Sequence, residues 1–285
     1  MNEKTKAIFY ITLSAFCFAL MSTFVKLAGN LPSVEKSFFR NLISCIVALV
    51  IIKKSHAPIF GKKENRLPLI LRATFGTIGI VANFYAIDHL VLSDASMLNK
   101  LSPFFVIIFS YFFLKENLKS VQVMALVVAF LGALFIIKPE FNSDLLPSLI
   151  GMFSATCAGA AYTCVRYLGG REKGETIVFF FSLFSIIATL PFVLLNFVPF
   201  TLNQFLFLLG AGISASIAQF SLTAAYKHAP AREISIYDYS QVIFVAIISI
   251  IIWHQTPDLL SVLGYAVILT ASAMIFLYNK KVCRA

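Results

Sequence analysis

Ser14-Ala15-Phe16-Cys17, near the start of the chain, recurs 140 positions later as Ser154-Ala155-Thr156-Cys157. The similarity continues along the sequence in the same order. At a spacing of 140 the matched pairs are Lys26 with Arg166, Gly29 with Gly169, Glu35 with Glu175, Phe39 with Phe179, Ile46 with Ile186 and Ala48 with Ala188; at a spacing of 139 they are Ala86 with Ala225, His89 with His228, Ser96 with Ser235, Phe105 with Phe244, Val106 with Val245 and Ile108 with Ile247. A repeat at half the chain length predicts two similar structural units.

The composition indicates that both units lie in a membrane. Of the 285 residues, 59% are hydrophobic and only 13% are charged, which excludes a water-soluble globular domain. A helix needs roughly 20 apolar residues to cross the hydrocarbon layer of a bilayer. The apolar segments therefore predict ten transmembrane helices, near residues 7–29, 37–52, 68–87, 95–114, 119–137, 147–168, 175–195, 202–226, 233–253 and 259–278.

The two units are predicted to have opposite orientations in the membrane. Each holds five helices, and an odd number of crossings makes the second unit enter from the side opposite to the first. The expected fold is an all-α integral membrane protein built from two inverted five-helix repeats, residues 5–139 and 144–281. Transporters often enclose a central site between such halves.

Basic residues predict the orientation of the whole chain. The longest polar break, Lys53–Arg66, joins the second and third predicted helices and is rich in lysine. Sixteen of the 23 basic residues lie on the side of this loop: Lys4, Lys6, Lys53, Lys54, Lys62, Lys63, Arg66, Lys115, Lys119, Arg171, Lys173, Lys227, Arg232, Lys280, Lys281 and Arg284. The positive-inside rule then places both termini in the cytoplasm and the protein in the cytoplasmic (inner or plasma) membrane. The net charge of +10 is explained by this topology and by anionic lipid, without a nucleic-acid partner.

Signatures of enzymes and metal sites are incomplete. Gly169–Gly174 has the glycine spacing of a phosphate loop, but Glu175-Thr176 follows where lysine and then serine or threonine is required. The five cysteines lack paired metal-ligand spacing, and the four histidines, His56, His89, His228 and His254, are scattered. We therefore expect no enzyme, no cofactor and no metal.

Asp238 is the strongest candidate for a binding residue. It lies more than one turn inside the ninth predicted helix, where a short carboxylate side chain cannot reach the membrane surface. Its match in the first repeat is Asn99, which is followed by Lys100, while Tyr237 and Tyr239 flank Asp238. Polar residues at matching depths in both halves predict a central pocket, and a desolvated Asp238 could exchange a proton during a transport cycle.

Other polar residues inside the predicted helices are weaker candidates for the same pocket. They are Arg40, Arg72, Asn83, Tyr85, Tyr162, Gln219 and Gln241. Two interpretations of Arg40, Arg72 and Lys100 are equally supported: their side chains extend toward the lipid headgroups, or they face a water-filled cavity. Lys26 and Arg166 lie near opposite membrane faces, and anchoring to headgroups is the expected role of both. Ala125, Ala129 and Ala133 form a small-residue stripe typical of helix packing.

Several local motifs resemble those of the EamA family of the drug/metabolite transporter superfamily, over nearly the whole chain. The motifs are Phe38-Phe39-Arg40, Leu71-Arg72-Ala73, Ser102-Pro103-Phe104 and Phe113-Leu114-Lys115-Glu116-Asn117. Tyr237-Asp238-Tyr239 resembles the start of the ninth helix in the branch that contains bacterial S-adenosylmethionine carriers. The chain departs from the pattern at Val242, which takes the position of a proline, and at His254-Gln255, where many relatives have a glutamate.

The resemblance implies a secondary transporter with a central cavity lined by both repeats, for import or for export. Glu116, beside Lys115 and Lys119, is expected to tie a loop. A membrane channel and a non-transporting scaffold are the alternatives, and a membrane enzyme is the weakest. The expected partners are a small-molecule substrate and membrane lipid, with a homodimer left open. An amphipathic zwitterion would suit the tyrosines, Asp238, Lys100 and Arg40, as would many other solutes.

Overall fold

A computed structural model describes residues 3–55, 57–115, 118–138, 145–229 and 234–282. Glu116 lies outside these ranges, so its expected role stays a prediction. All regular elements within the described ranges are helical. They are α1 (Glu3–Leu27), α2 (Ser33–Ser55), a short 3-10 helix (Lys63–Asn65), α3 (Arg66–His89), α4 (Leu92–Asn99), α5 (Ser102–Leu114), α6 (Ser120–Ile137), α7 (Leu145–Leu168), α8 (Gly174–Leu195), α9 (Leu202–His228), a second 3-10 helix (Ser235–Tyr239), α10 (Ser240–Trp253) and α11 (Leu259–Val282).

Nine segments in the described ranges are long and apolar enough to cross a membrane. Two of them are composite, because α4 continues into α5 and the second 3-10 helix continues into α10. The tenth span is α2, whose polar residues Glu35, Lys36 and Arg40 are buried against other helices, while Ile46 and Val50 are exposed. Polar side chains that face the interior of a bundle allow such a helix to cross a bilayer. The chain is therefore a multi-pass membrane protein, as predicted.

Helix pairing follows the internal repeat. In the first repeat α1 packs mainly against α9, and its counterpart α7 packs in the same way against α3. The second helix of the first repeat, α2, packs against the second helix of the other repeat, α8. The fifth helices of the two repeats, α6 and α11, also pack against each other. Exchange of the two repeats leaves this set of contacts unchanged, as an inverted pseudo-two-fold arrangement requires.

Two hydrogen bonds show the same symmetry at the level of single atoms. Ser14 Oγ donates to the carbonyl oxygen of Ala218 at 2.8 Å, and Ser154 Oγ donates to the carbonyl oxygen of Gly79 at 2.8 Å. Ser154 matches Ser14, and Ala218 lies 139 positions after Gly79. The short motif that opens each repeat therefore joins each first helix to the third helix of the other repeat.

The fourth and ninth spans are present as predicted, and each consists of two helical segments, which the apolar pattern did not indicate. The fourth span is interrupted between Asn99 and Ser102. Pro103, which stands in the first turn of α5, has no amide hydrogen to donate to a carbonyl oxygen of the preceding turn. In the ninth span the backbone tightens into the 3-10 helix Ser235–Tyr239 before α10 begins, although Val242 replaces the proline. The two breaks lie at matching positions of the repeats.

The predicted alanine stripe is buried in the bundle. Ala125, Ala129 and Ala133 are at most 1% exposed. On the same helix, α6, a methyl group at Gly132 would lie 3.1 Å from the carbonyl oxygen of Gly264 on α11. The small residues thus allow α6 and α11 to approach closely, which is how helices associate in lipid.

Candidate functional site

The two helix breaks meet at an ion pair. Lys100 Nζ lies 2.5 Å from Asp238 Oδ2, and the two side chains are 10% and 26% exposed. The sequence marked both residues as candidates without showing that they touch. The pair neutralises two charges that would each be costly inside a membrane.

Tyr239 holds the backbone of the opposite break. Its side chain is buried, and its hydroxyl donates to the carbonyl oxygen of Lys100 at 3.2 Å. Lys100 Nζ also lies 5.9 Å from the centre of the Tyr239 ring, within the range of a cation–π contact. Lys100 and Tyr239 occupy matching positions of the two repeats. Their contact therefore places the ion pair at the pseudo-two-fold axis, between the halves.

Asn99, the match of Asp238, is also at the break. Its side-chain amide donates to Ser154 Oγ at 3.2 Å, and Ser154 donates onward to Gly79. This chain of hydrogen bonds ties α4 to α7 and α3. Ser154 was not among the predicted site residues, although its place in the repeated motif was a signal for it.

A second polar cluster lies beside the first. Arg40 on α2 and Arg72 on α3, both predicted candidates, line a cavity of about 10 Å³, which has room for about one water molecule. Gln219, another predicted candidate, lines it too. The other six lining residues were not predicted: Ser44, Val178, Phe181, Ser182, Ser216 and Phe220. For the three serines, the only signal in the sequence was the presence of small hydroxyl residues within the apolar helices α2, α8 and α9.

Tyr162 connects the two clusters. It interacts electrostatically with Arg72, Asp238 and Arg40, which lie on three other elements. Its side chain is nevertheless 43% exposed. Among the described candidate residues, Tyr162 is the one whose electrostatic partners include members of both clusters.

The remaining predicted residues have less defined places. Tyr85 stacks on the ring of His89 at 4.1 Å, toward the end of α3. Tyr237 is 40% exposed, and Asn83 and Gln241 are partly buried. These four do not join the contacts described above.

Lys26 does not have the role that the sequence predicted. Its Nζ donates to the carbonyl oxygen of Leu90 at 2.7 Å and to Gln255 Oε1 at 3.2 Å, so it is held within the protein and does not extend to lipid headgroups. It lines a pocket of about 290 Å³ near the ends of α3 and α6.

Further polar contacts occupy the same end of the bundle. Lys36 is fully buried and pairs with Asp88 at 2.6 Å, which links α2 to α3. Lys138 pairs with Asp258 at 2.6 Å, and this hydrogen bond lowers the pKa of the Asp258 carboxyl. Nowhere in the described ranges do three His, Cys, Asp or Glu side chains form a group suited to a metal ion.

Comparison with known proteins gives this architecture a family. The model of the EamA-like transporter family matches the chain twice, at residues 5–138 and 145–277. The pseudopaline exporter CntI of Pseudomonas aeruginosa is 33% identical over 262 residues, covering 91% of this chain and 92% of the exporter. Human solute carrier family 35 member G1 is 27% identical, covering 88% of this chain and 73% of that protein.

A solved crystal structure has the same fold. It superimposes with a TM-score of 0.70 over 98% of this chain and 99% of the other, at 14% sequence identity. Two family matches, one in each repeat, together span nearly the whole described bundle. The chain is a membrane transporter of small solutes and belongs to the EamA-like transporter family.

Proposed function

We propose that the protein is a secondary carrier that moves a small solute across the cytoplasmic membrane by alternating access, with its binding site at the two helix breaks. The observation that carries this proposal is the Lys100–Asp238 ion pair, which joins the broken helices of opposite repeats. Inverted-repeat transporters bind substrate where discontinuous helices meet between the halves. The two halves would rock about this point and open it to one side at a time.

The ion pair suits a reversible site. In the empty carrier each charge compensates the other, so the bundle can close without a buried, unpaired charge. A solute with opposite charges can replace both contacts, its anionic group on Lys100 and its cationic group on Asp238. Asp238 is also the group proposed to exchange a proton. A ligand can shift the balance between the two conformations of a carrier only through contacts that differ between them. Replacement of the ion pair by the charged groups of the solute provides such contacts.

We propose that both termini face the cytoplasm, with repeat units 5–139 and 144–281. Lys62 N and Asn65 Nδ2 each donate to Glu172 Oε1 at 2.7 Å, which joins the two loops predicted to share the cytoplasmic side. The named exporter among the relatives is bacterial, which supports the inner or plasma membrane. The contacts of the ion pair lie within one chain, so a homodimer is not required to form the site.

Flux measurements separate the carrier from its alternatives. An untargeted comparison of metabolites inside and outside cells, with and without the gene, selects a solute, and purified protein in proteoliposomes is then tested with it. Saturable flux supports the carrier, and unsaturated conductance would indicate a channel. Absence of flux for a broad metabolite panel would favour a scaffold, and conversion of the solute would indicate an enzyme.

A further inference from the structure

Two buried guanidinium groups have no carboxylate partner in the part of the chain that the structure describes. Arg40 is 6% exposed and Arg72 is 7% exposed. Among the described residues, neither forms an ion pair with Asp or Glu, and Nε of each lacks a hydrogen-bond partner. The two guanidinium groups also interact electrostatically with each other. Within the described residues, the interior thus holds two adjacent positive charges without an acidic partner.

The contacts that these groups do make are with neutral partners. Arg40 Nη1 donates to Asn41 Oδ1 at 2.7 Å, and the Arg72 guanidinium lies 3.9 Å from the centre of the Phe181 ring. An amide oxygen and an aromatic face orient the two groups without cancelling their charge. A buried charge that is not cancelled destabilises a membrane protein, so its presence calls for a role.

The repeated scaffold does not need this pair. At the spacings of the repeat, Phe180 stands where Arg40 has its match and Ala211 stands where Arg72 has its match. The second repeat therefore forms the corresponding helices without either charge. Only the first repeat carries the two arginines, so they break the pseudo-symmetry of the bundle. A binding site for an asymmetric ligand would do the same.

The surroundings suit an oxyanion. Ser44, Ser182 and Ser216 line the cavity beside the arginines, and Ser182 Oγ has no hydrogen-bond partner. Hydroxyl and guanidinium groups are the donors that bind carboxylate and phosphate oxygens, and arginine can do so with two parallel hydrogen bonds. The cavity of about 10 Å³ is too small for a metabolite, so a ligand enters only when the helices move apart.

We propose that Arg40 and Arg72 form an anion subsite that receives a carboxylate or phosphate group of the transported solute. The inference rests on the proposed carrier function and names the class of its cargo, a small metabolite with an anionic group. Tyr162 interacts electrostatically with both arginines and with Asp238, so a cationic group on the same solute would extend toward the Asp238 carboxylate. A zwitterion that spans the two clusters fits both.

The test measures anion binding without transport. The thermal unfolding midpoint of the purified protein in detergent is titrated with sodium succinate, with sodium phosphate and with sodium chloride at equal ionic strength. We expect one oxyanion to raise the midpoint above chloride, and the effective salt identifies carboxylate or phosphate as the preferred group. In Arg40→Gln and Arg72→Gln the half-saturating concentration should rise about tenfold or more, as expected when a charge-assisted hydrogen bond is lost.

Arg171→Gln is the matched control, because Arg171 is exposed and stacks on Tyr167 at 4.1 Å, away from the cavity. Ser182→Ala retains both arginines and should weaken the response by a smaller factor, which keeps the test valid if an arginine variant fails to fold. No oxyanion effect in the wild type, or the same effect in all variants, would overturn the subsite. An intact, arginine-dependent effect without solute flux would instead overturn the carrier proposal.

Discussion

Lys100 Nζ of the first repeat lies 2.5 Å from Asp238 Oδ2 of the second, and this ion pair closes the point where the two broken helices meet. Both charges are largely withdrawn from solvent. Removal of one partner leaves the other buried and unpaired, which typically costs about 3–5 kcal/mol. The pair therefore has a structural role in addition to the proposed binding role, and an experiment must separate them.

A variant in which the two charges are exchanged separates the structural role of the ion pair from its proposed binding role. We expect Asp238→Asn alone to lower the unfolding midpoint and to abolish flux. Lys100→Asp combined with Asp238→Lys should recover most of the lost stability, because the charges still compensate each other, while flux stays at least tenfold below wild type. Normal flux through the reversed protein would show that the pair is structural only.

Proton coupling through Asp238 predicts a specific change in pH dependence. Wild-type flux should respond to a pH difference across the proteoliposome membrane, because the carboxylate binds and releases a proton in each cycle. Any residual flux of Asp238→Asn should be independent of that difference, since its amide cannot titrate. Asp238→Asn transport at the wild-type rate at each pH tested would exclude the coupling.

The paired serines predict unequal effects of the same substitution. Ser14→Ala removes one buried hydrogen bond, to Ala218, and should destabilise the protein by about 0.5–1.5 kcal/mol. Ser154→Ala removes the bond to Gly79 and also leaves the Asn99 amide without its acceptor. Its effect on the unfolding midpoint should therefore be larger, and equal shifts would contradict the role given to Asn99.

Gly76 tests the position of Arg72 without a change in charge. A methyl group at Gly76 would overlap the Arg72 guanidinium and lie 2.8 Å from Phe181 Cε2. Gly76→Ala should displace Arg72 and weaken the oxyanion effect several-fold. At the control position, Gly174, the methyl group would meet Thr223 at an ordinary 3.5 Å, so Gly174→Ala should respond like wild type. An unaltered response in Gly76→Ala would mean that the position of Arg72 does not matter.

The orientation of the chain in the membrane can be tested by labelling single cysteines. In a cysteine-free background, Lys63→Cys and Asn196→Cys place single thiols at exposed positions on opposite ends of the bundle. An impermeant maleimide added to intact cells should label only the Asn196→Cys variant, since the basic loop is predicted to be cytoplasmic. Labelling of Lys63→Cys alone would reverse the topology.

Hydropathy and the internal repeat predicted the ten spans and the inverted halves, because both signals are properties of the linear sequence. The helix breaks were missed, since an apolar segment looks the same whether or not its backbone is continuous. Pro103 was a local signal for the first break, whereas nothing comparable marks the second. Tertiary context, here the contact of Tyr239 with the Lys100 backbone, accompanies that break.

Side-chain contacts were harder to predict than spans. Asp238, Asn99 and Lys100 were found as polar residues within apolar segments. The pairing of Lys100 with Asp238 depends on the rotation of helices that are more than 100 residues apart in the chain, and hydropathy contains no information on this rotation. For the same reason Lys26 was placed at the headgroups, although Leu90 and Gln255 hold it inside the protein.

The most direct test of alternating access at the helix breaks is to measure the exchange of external for internal solute. Proteoliposomes are preloaded with the solute chosen by the metabolite comparison, and entry of labelled solute from outside is measured for wild-type protein and for the reversed Lys100/Asp238 variant. A carrier predicts saturable entry that solute inside accelerates in the wild type, because a loaded site returns across the membrane, and neither behaviour in the variant. Entry that is linear in concentration and unaffected by internal solute would contradict a carrier.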